Sequence, residues 1–314
     1  MQPSAFILAT NNFHKIKEFA DVFNTKILCP KDLGISDFEP LENGATFDEN
    51  AMIKAQCLYE KIQNLHCLHT NYIIFADDSG LCVEAIDNMP GIFSARYAHI
   101  CHNKMTQENA SDSENRKALI NTLMSRNLWG SYAFFQCSIA YVACLQDSVV
   151  SEDSLLQYDI QYRRTSIGDY VINGVVHGRC EGIVAIKEQG NHGFGYDSMF
   201  YRDREMNNIS DAIDFTLQHT VANSTKYADS YDNTRKSMLP QYKQDSNFLD
   251  TCIPQFDSIS HHNQHIYHNS KITLHSLVHS LATLSLKEKM KISHRGKAIA
   301  KLQALLAKLN IRFL

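Results

Sequence analysis

Two aspartates, Asp77 and Asp78, stand side by side directly after the apolar run Tyr72-Ile73-Ile74-Phe75-Ala76 and are followed by Ser79 and Gly80. Adjacent carboxylates suit two kinds of work. They can hold a divalent cation and help activate water, or they can turn the chain, because Asp and Ser side chains bond nearby backbone and Gly permits positive φ. The run before them is short, apolar and β-branched, the pattern of a strand buried on both faces. Ending that strand at residue 76 brings the aspartates out at its carboxyl end, where open α/β sheets bind ligands. If strand geometry instead continues through them, their side chains leave by opposite faces and cannot do the same job.

Cations that could serve a phosphate lie elsewhere in the chain. Lys15 follows Thr10-Asn11-Asn12, a polar break between the apolar residues 5–9 and a helical pattern carried by Ile16, Phe19, Ala20 and Phe23. A strand-to-helix turn of this kind offers free first-turn N–H groups and a lysine to an anion, or Asn11 or Asn12 merely caps the helix. Lys54 lies one helical turn from Asn50 on a helix whose apolar face is Phe47, Ala51, Ala55, Leu58 and Ile62. Thr46 and Glu49 at its start match a capping box, which accounts for Glu49 structurally; the alternative is a metal-binding carboxylate. Near the C-terminus, Lys287, Lys289, Lys291 and Arg295 bunch with His294 ahead of an amphipathic helix bearing Ile299, Leu302, Leu306 and Leu309, with Ser293 as its N-cap. Gly190-Asn191-His192-Gly193-Phe194-Gly195-Tyr196-Asp197 sets glycines among aromatics and an acid, so backbone can approach a planar ligand closely, although a plain loop has the same composition.

The elements that must position these residues alternate strands and helices. Residues 132–145 form a long strand, 171–177 and 182–186 two more, 148–166 an elaborated hairpin connection, and 103–126 a polar segment turning helical. Residues 202–277 change character: rich in Asp, Asn, Ser, Gln and His, they bury too little apolar surface to offset their ordering entropy and are expected to be an extruded or mobile insertion. The remainder, 1–201 and 278–314, is then one domain. His261, His262, His265 and His268 within the insertion are compatible with a transition-metal site, but no Cys partner supports one.

With 314 residues, 44% hydrophobic content and a net charge of -4, the chain is large enough for a sizeable core and lacks the basic face that duplex nucleic acid requires. No run approaches membrane-spanning length and the N-terminus has no signal-peptide pattern, so no membrane association and a cytoplasmic location are expected. Nine scattered cysteines without C-x-x-C pairs read as reduced thiols.

Taken in order, ATNNFHK, FDENAMIKA, FADDSGLCVEAIDNMPGIFSARYA, EGIVAI, GFGYD and SHRGKA resemble the inosine/xanthosine triphosphate pyrophosphatases, enzymes that remove deaminated purine nucleoside triphosphates. His192 stands where that family usually has Gly, Ser198 where it usually has Pro, and the 202–277 segment is foreign to the bacterial pattern. The resemblance implies an elongated, two-lobed α/β fold with a central mixed β-sheet flanked by helices, a nucleotide cleft between the lobes, and a homodimer. It also implies Mg²⁺-dependent cleavage between the α and β phosphates. Asp78 matches the catalytic aspartate and, with Glu49, the metal-side carboxylates; Asp77 is left without a role. Thr10, Asn11, Asn12, Phe13, His14, Lys15 and Ser79 are expected at phosphate or ribose. Phe194, Gly195, Tyr196, Asp197, His294 and Arg295 are expected at the base, and Lys15, Lys54 and Lys289 neutralise charge. Two other readings stay open at this point: a pyrophosphatase for other modified nucleotides, and a nucleotide-binding regulator without turnover.

Overall fold

The computed structural model describes residues 5–202 and 279–311, apart from 66, 67, 69, 70, 105, 107, 147, 159, 167 and 310. Among the described residues six strands make one mixed sheet: β1 (Ala5–Leu8), β2 (Tyr72–Val83), β3 (Gly130–Leu145), β4 (Tyr162–Arg164), β5 (Tyr170–Ala185) and β6 (Phe200–Tyr201). The order is β1-β2-β3-β5-β4, with β6 also on β5; β1 runs parallel to β2 and the other pairs are antiparallel. The α-helices among the described residues are α1 (Phe13–Phe23), α2 (Phe47–Leu65), α3 (Tyr97–Cys101), α4 (Asp112–Ser125), α5 (Glu152–Gln157), α6 (Leu286–Ile292) and α7 (His294–Lys308). The expected central mixed sheet flanked by helices is therefore present.

Alternation along β2 divides the core. Tyr72, Ile74 and Ala76 pack with Ala51, Ala55, Leu58 and Ile62 of α2. Ile73 and Phe75 pack on the other face with Phe19 and Phe23 of α1 and Ala298, Ile299, Leu302 and Leu306 of α7. Each buried Leu, Ile or Phe among them contributes about 1.5–3 kcal/mol by leaving water. Helix α7 reaches the sheet where β5 carries no side chain: a Cβ on Gly178 would fall 1.9 Å from the His294 carbonyl oxygen. That contact sets Ser293, His294 and Arg295 against the strands.

Two expected boundaries shift. Strand β2 does not stop at residue 76 but continues through both aspartates to Val83, because β3 pairs with it along its whole length. The aspartates thus sit in mid-strand, not at a carboxyl end. Likewise the strands expected at 171–177 and 182–186 are one strand, β5, held in continuous register from Tyr170↔Leu145 to Ala185↔Gly130. Its glycines, which suggest an interruption in sequence, are sites of close approach. The 148–166 connection contains helix α5 and strand β4.

The expected insertion lies, apart from Arg202, outside the described residues, but its two stems do not. Tyr201 and Ser280 form an antiparallel bridge, which brings their Cα atoms to about 5 Å. A short turn can span that gap. A chain in which residues 206–273 are replaced by a short Gly/Ser linker is expected to unfold cooperatively with a melting temperature close to that of the full chain. A non-cooperative melt would assign the segment to the core.

Candidate active site

Because β2 is continuous, Asp77 and Asp78 project from opposite faces of the sheet into different surroundings. On the α2 face, Asp78 Oδ1 lies 3.2 Å from Lys54 Nζ, which also donates to Glu42 Oε2 at 3.0 Å. Asp78 Oδ2 is buried and has no hydrogen-bond partner. Burial raises the Asp78 pKa above its ordinary value despite the neighbouring Lys54. Lys54 is raised too: burial opposes its charge, but Asp78, Glu42 and Asp77 together outweigh that penalty.

On the other face, Asp77 is almost wholly buried and ion-paired through both oxygens, although its Oδ1, like Asp78 Oδ2, accepts no hydrogen bond. Lys15 Nζ lies 2.9 Å from its Oδ1, and Arg295 donates to its Oδ2 from Nε at 3.1 Å and Nη2 at 3.0 Å. Burial would raise its pKa, yet Lys15, Arg295 and Lys54 hold the carboxyl well below the usual range. Arg295 also donates to Glu18 Oε2 at 2.5 Å and Ser79 Oγ at 3.0 Å, so four of its five N–H groups are engaged. Asp77, without a role in sequence, is thus the counter-ion that seats Lys15 and Arg295.

The chain of charges continues to the 193–197 loop. Lys289 Nζ lies 3.9 Å from Glu18 Oε1 and 2.7 Å from Asp197 Oδ2, and 4.6 Å from the Phe194 ring centroid. Arg295 lies 5.5 Å from the same ring, and His14 stacks on it at 6.1 Å. Asp197 in turn accepts from the Phe194 N–H at 2.9 Å, which fixes the loop about its own acid. The structure therefore brings His14, Lys15, Ser79, Phe194, Asp197, Lys289 and Arg295 into one network. His294 packs its ring on Phe135 at 4.8 Å, and burial with the nearby Arg295 and Lys289 keeps it neutral by lowering its pKa well below normal. Tyr196 turns away from this network, donating to the Ser94 carbonyl at 2.9 Å.

At the start of α1, Thr10 Oγ1 accepts from Asn12 N–H, and Asn12 Oδ1 caps the helix by accepting from His14 and Lys15 N–H at 2.9 and 3.3 Å. The cap uses two amides that a phosphate seat would need. Anion binding here must then draw on the Lys15 ammonium, with Asn11 and Phe13 exposed beside it. At the start of α2, Thr46 Oγ1 accepts from Glu49 N–H at 3.1 Å, one half of a capping box; the Glu49 carboxylate accepts instead from Ala45 N–H at 2.6 Å. Neighbouring Asp48 accepts from Ser138 Oγ at 2.6 Å and pairs with His177 Nε2 at 2.8 Å. Glu18, Glu42 and this Asp48 cluster are absent from the sequence reading. For Glu18 the available sign was its place one turn after Lys15 on a helix with an apolar face; Glu42 lies in a loop and carries no periodic signal.

Among the described residues no group of three or more His, Cys, Asp or Glu side chains is arranged to hold a metal ion. Mg²⁺ asks less of a protein, since one or two carboxylates plus substrate phosphates and water complete its octahedron. The unpartnered, buried Asp78 Oδ2 fits that demand, and Glu49 on the facing helix is the second candidate.

The family model for the Ham1 family matches residues 6–156 and 162–219. The chain belongs to the Ham1 family. A dITP/XTP pyrophosphatase of Sulfurovum sp. (strain NBC37-1) is 33% identical over 216 residues, covering 68% of this chain and 86% of the relative. The dITP/XTP pyrophosphatase of Halalkalibacterium halodurans is 31% identical over 221 residues, covering 68% and 92%. The Staphylococcus aureus Ham1 protein superposes with a TM-score of 0.53 at 25% identity, covering 97% of this chain and 98% of that one. A HAM1 protein from Coxiella burnetii has the same fold, with a TM-score of 0.52 at 22% identity over 97% and 99% of the two chains. Among the described residues no helix of this Ham1-family chain is long and apolar enough to cross a membrane.

The two aspartates are expected to fail differently. Asp77→Asn leaves Arg295 and Lys15 facing an uncharged amide in a buried site and is expected to cost about 3–5 kcal/mol of stability. Asp78→Asn removes a charge that burial already disfavours, while Lys54 keeps Glu42, so its melting temperature should stay near wild type. Thermal melts of the two variants decide this; equal destabilisation would contradict the assignment.

Proposed function

We propose that this chain hydrolyses deaminated purine nucleoside triphosphates, ITP, dITP and XTP, to the monophosphate and pyrophosphate, with Mg²⁺ as cofactor. The observation that carries the reading is Asp78, a strand carboxylate with one oxygen on Lys54 and the other unpartnered, in a Ham1-family chain whose relatives bear the name dITP/XTP pyrophosphatase. A triphosphate repels an incoming nucleophile, so catalysis consists mainly of positioning and charge neutralisation. Bound Mg²⁺ would neutralise phosphate charge and lower the pKa of coordinated water.

Asp78 and Glu49 are the residues assigned to hold it. Lys54 holds Asp78 in place through Oδ1 and leaves Oδ2 for the cation. Lys15, fixed by Asp77 at the start of α1, brings a second positive charge to the phosphates. The base is assigned to the side bounded by Phe194, Asp197, Lys289, His294 and Arg295. A six-carbonyl needs a donor. Arg295 has one N–H of Nη1 left for that purpose, whereas Lys289 has further N–H groups beyond the one bonded to Asp197. The reading also carries a homodimer, as the sequence resemblance implies, acting on the cytosolic nucleotide pool.

Purified protein is expected to convert ITP to IMP and pyrophosphate, only with a divalent cation present. Phosphate-specific detection, with and without added inorganic pyrophosphatase, checks the bond: orthophosphate released without that enzyme contradicts it. The pH profile is a second check. Since Asp78 must be ionised to hold a cation and its pKa is raised, the acid limb of kcat/KM should lie above the ordinary aspartate value of about 3.9. Lys54 lowers the Asp78 pKa, so Lys54→Met should move that limb to still higher pH. A limb that stays put, or moves down, would take Asp78 out of the role.

A further inference from the structure

The 193–197 loop is gripped from outside the charge network by helix α4. Gly195 lies at a positive φ of 62°, and both of its backbone polar groups are taken by side chains one helical turn apart. Its N–H donates to Asp112 Oδ2 at 2.7 Å, and its carbonyl accepts from Arg116 Nη1 at 2.9 Å. Arg116 Nε donates to Glu188 Oε2 at 2.7 Å, and the same oxygen accepts from Ser198 Oγ at 3.0 Å on the far side of the loop. Ser198 stands where the resembling family usually has Pro, so this last bond depends on a departure in this chain. A loop residue held at N–H and carbonyl alike has little freedom left. The Phe194 ring, immediately before it, is the surface on which His14 stacks and over which Lys289 and Arg295 sit.

We infer that Asp112 and Arg116, braced by Glu188 and Ser198, are positioning residues for base recognition: they clamp Gly195 and thereby set Phe194 and Asp197 against the base-side cations. None of the four touches Asp77 or Asp78, and the clamp reaches the phosphate side only through the Asp197–Lys289 link, so its main effect is on how the base is held. This rests on the assignment of the 193–197 loop to the base in the proposed function. Two readouts separate the two claims.

The first is amide hydrogen exchange, which needs no substrate. Exchange across 193–198 is expected to quicken at least about tenfold in Asp112→Ala and Arg116→Ala, the scale of losing a charged hydrogen bond, with the strands unchanged. The second is kinetic. Arg116→Ala is expected to raise KM for ITP and weaken IMP binding by about tenfold, with kcat held within about twofold and the ITP-over-ATP preference narrowed. Arg116→Lys should recover part of the loss, because it keeps the charge beside Glu188 while losing the fork. Unchanged exchange at 193–198 in both alanine variants would overturn the clamp, whatever the enzyme cleaves. Faster exchange with KM, IMP affinity and base preference all at wild-type values would overturn its role in recognition. Inactivity of the wild-type protein on ITP would defeat the proposed function alone, leaving exchange to judge the clamp. Should Arg116→Ala fail to fold, Ser198→Ala, which removes one brace only, is expected to give the same exchange pattern at smaller amplitude; no change there would count against the inference.

Discussion

Side chains of neighbouring residues in a paired strand leave the sheet on opposite faces, and here that rule separates two carboxylates that are adjacent in sequence. Strand β3 pairs β2 through both positions, Asp77↔Ile139 and Asp78↔Ser138, so neither can swing across. One face is closed by α1 and α7 and gives Asp77 two cations; the other is closed by α2 and leaves Asp78 with one lysine and a bare oxygen. Everything assigned to chemistry follows from that separation. A turn at these residues, the alternative open in the sequence, would have put both acids in water.

The Asp77 face is an unbroken series of opposite charges, Lys15, Asp77, Arg295, Glu18, Lys289 and Asp197. Burying charges costs several kcal/mol per ion, and their mutual attraction offsets this only while every member is present. The series is therefore better understood as a device for fixing geometry than as a source of net stability. It joins α1, β2, α6, α7 and the 193–197 loop, so the cation proposed for phosphate and the cations proposed for the base are set by the same network. Its pH behaviour has a definite sign. The Asp77 pKa is depressed on folding, so its contribution is present above the ordinary carboxylate range and is lost as pH falls towards the folded value.

Much of the framework was legible because periodicity records burial. The spacing of Phe19, Ala20 and Phe23, of Ala51, Ala55 and Leu58, and of Ile299, Leu302 and Leu306 marks the helix faces that the core uses. Strand limits were less legible. Aspartates and glycines inside β2 and β5 read locally as turns, and only pairing with β3, far away in sequence, overrides that preference. The same reason explains the partial view of the site. Types and order mark Lys54, Asp78, Lys289 and Arg295, but which cation meets which acid depends on contacts such as Arg295 with Glu18, separated by most of the chain. Glu42 and Arg116 act only through such contacts. The free amides expected at the start of α1 are taken by Asn12, a competition between cap and ligand that composition alone does not settle.

On the proposed division of work between the two faces of β2, Asp77 seats cations and Asp78 faces a metal. Direct measurement of divalent-cation binding, by calorimetric titration of Mn²⁺ in the presence of IMP and at a temperature where both variants are folded, tests it without reference to turnover. Asp78→Asn is expected to lose most of the affinity while Asp77→Asn stays within about threefold of wild type. Comparable losses in the two variants, or a larger loss in Asp77→Asn, would contradict it.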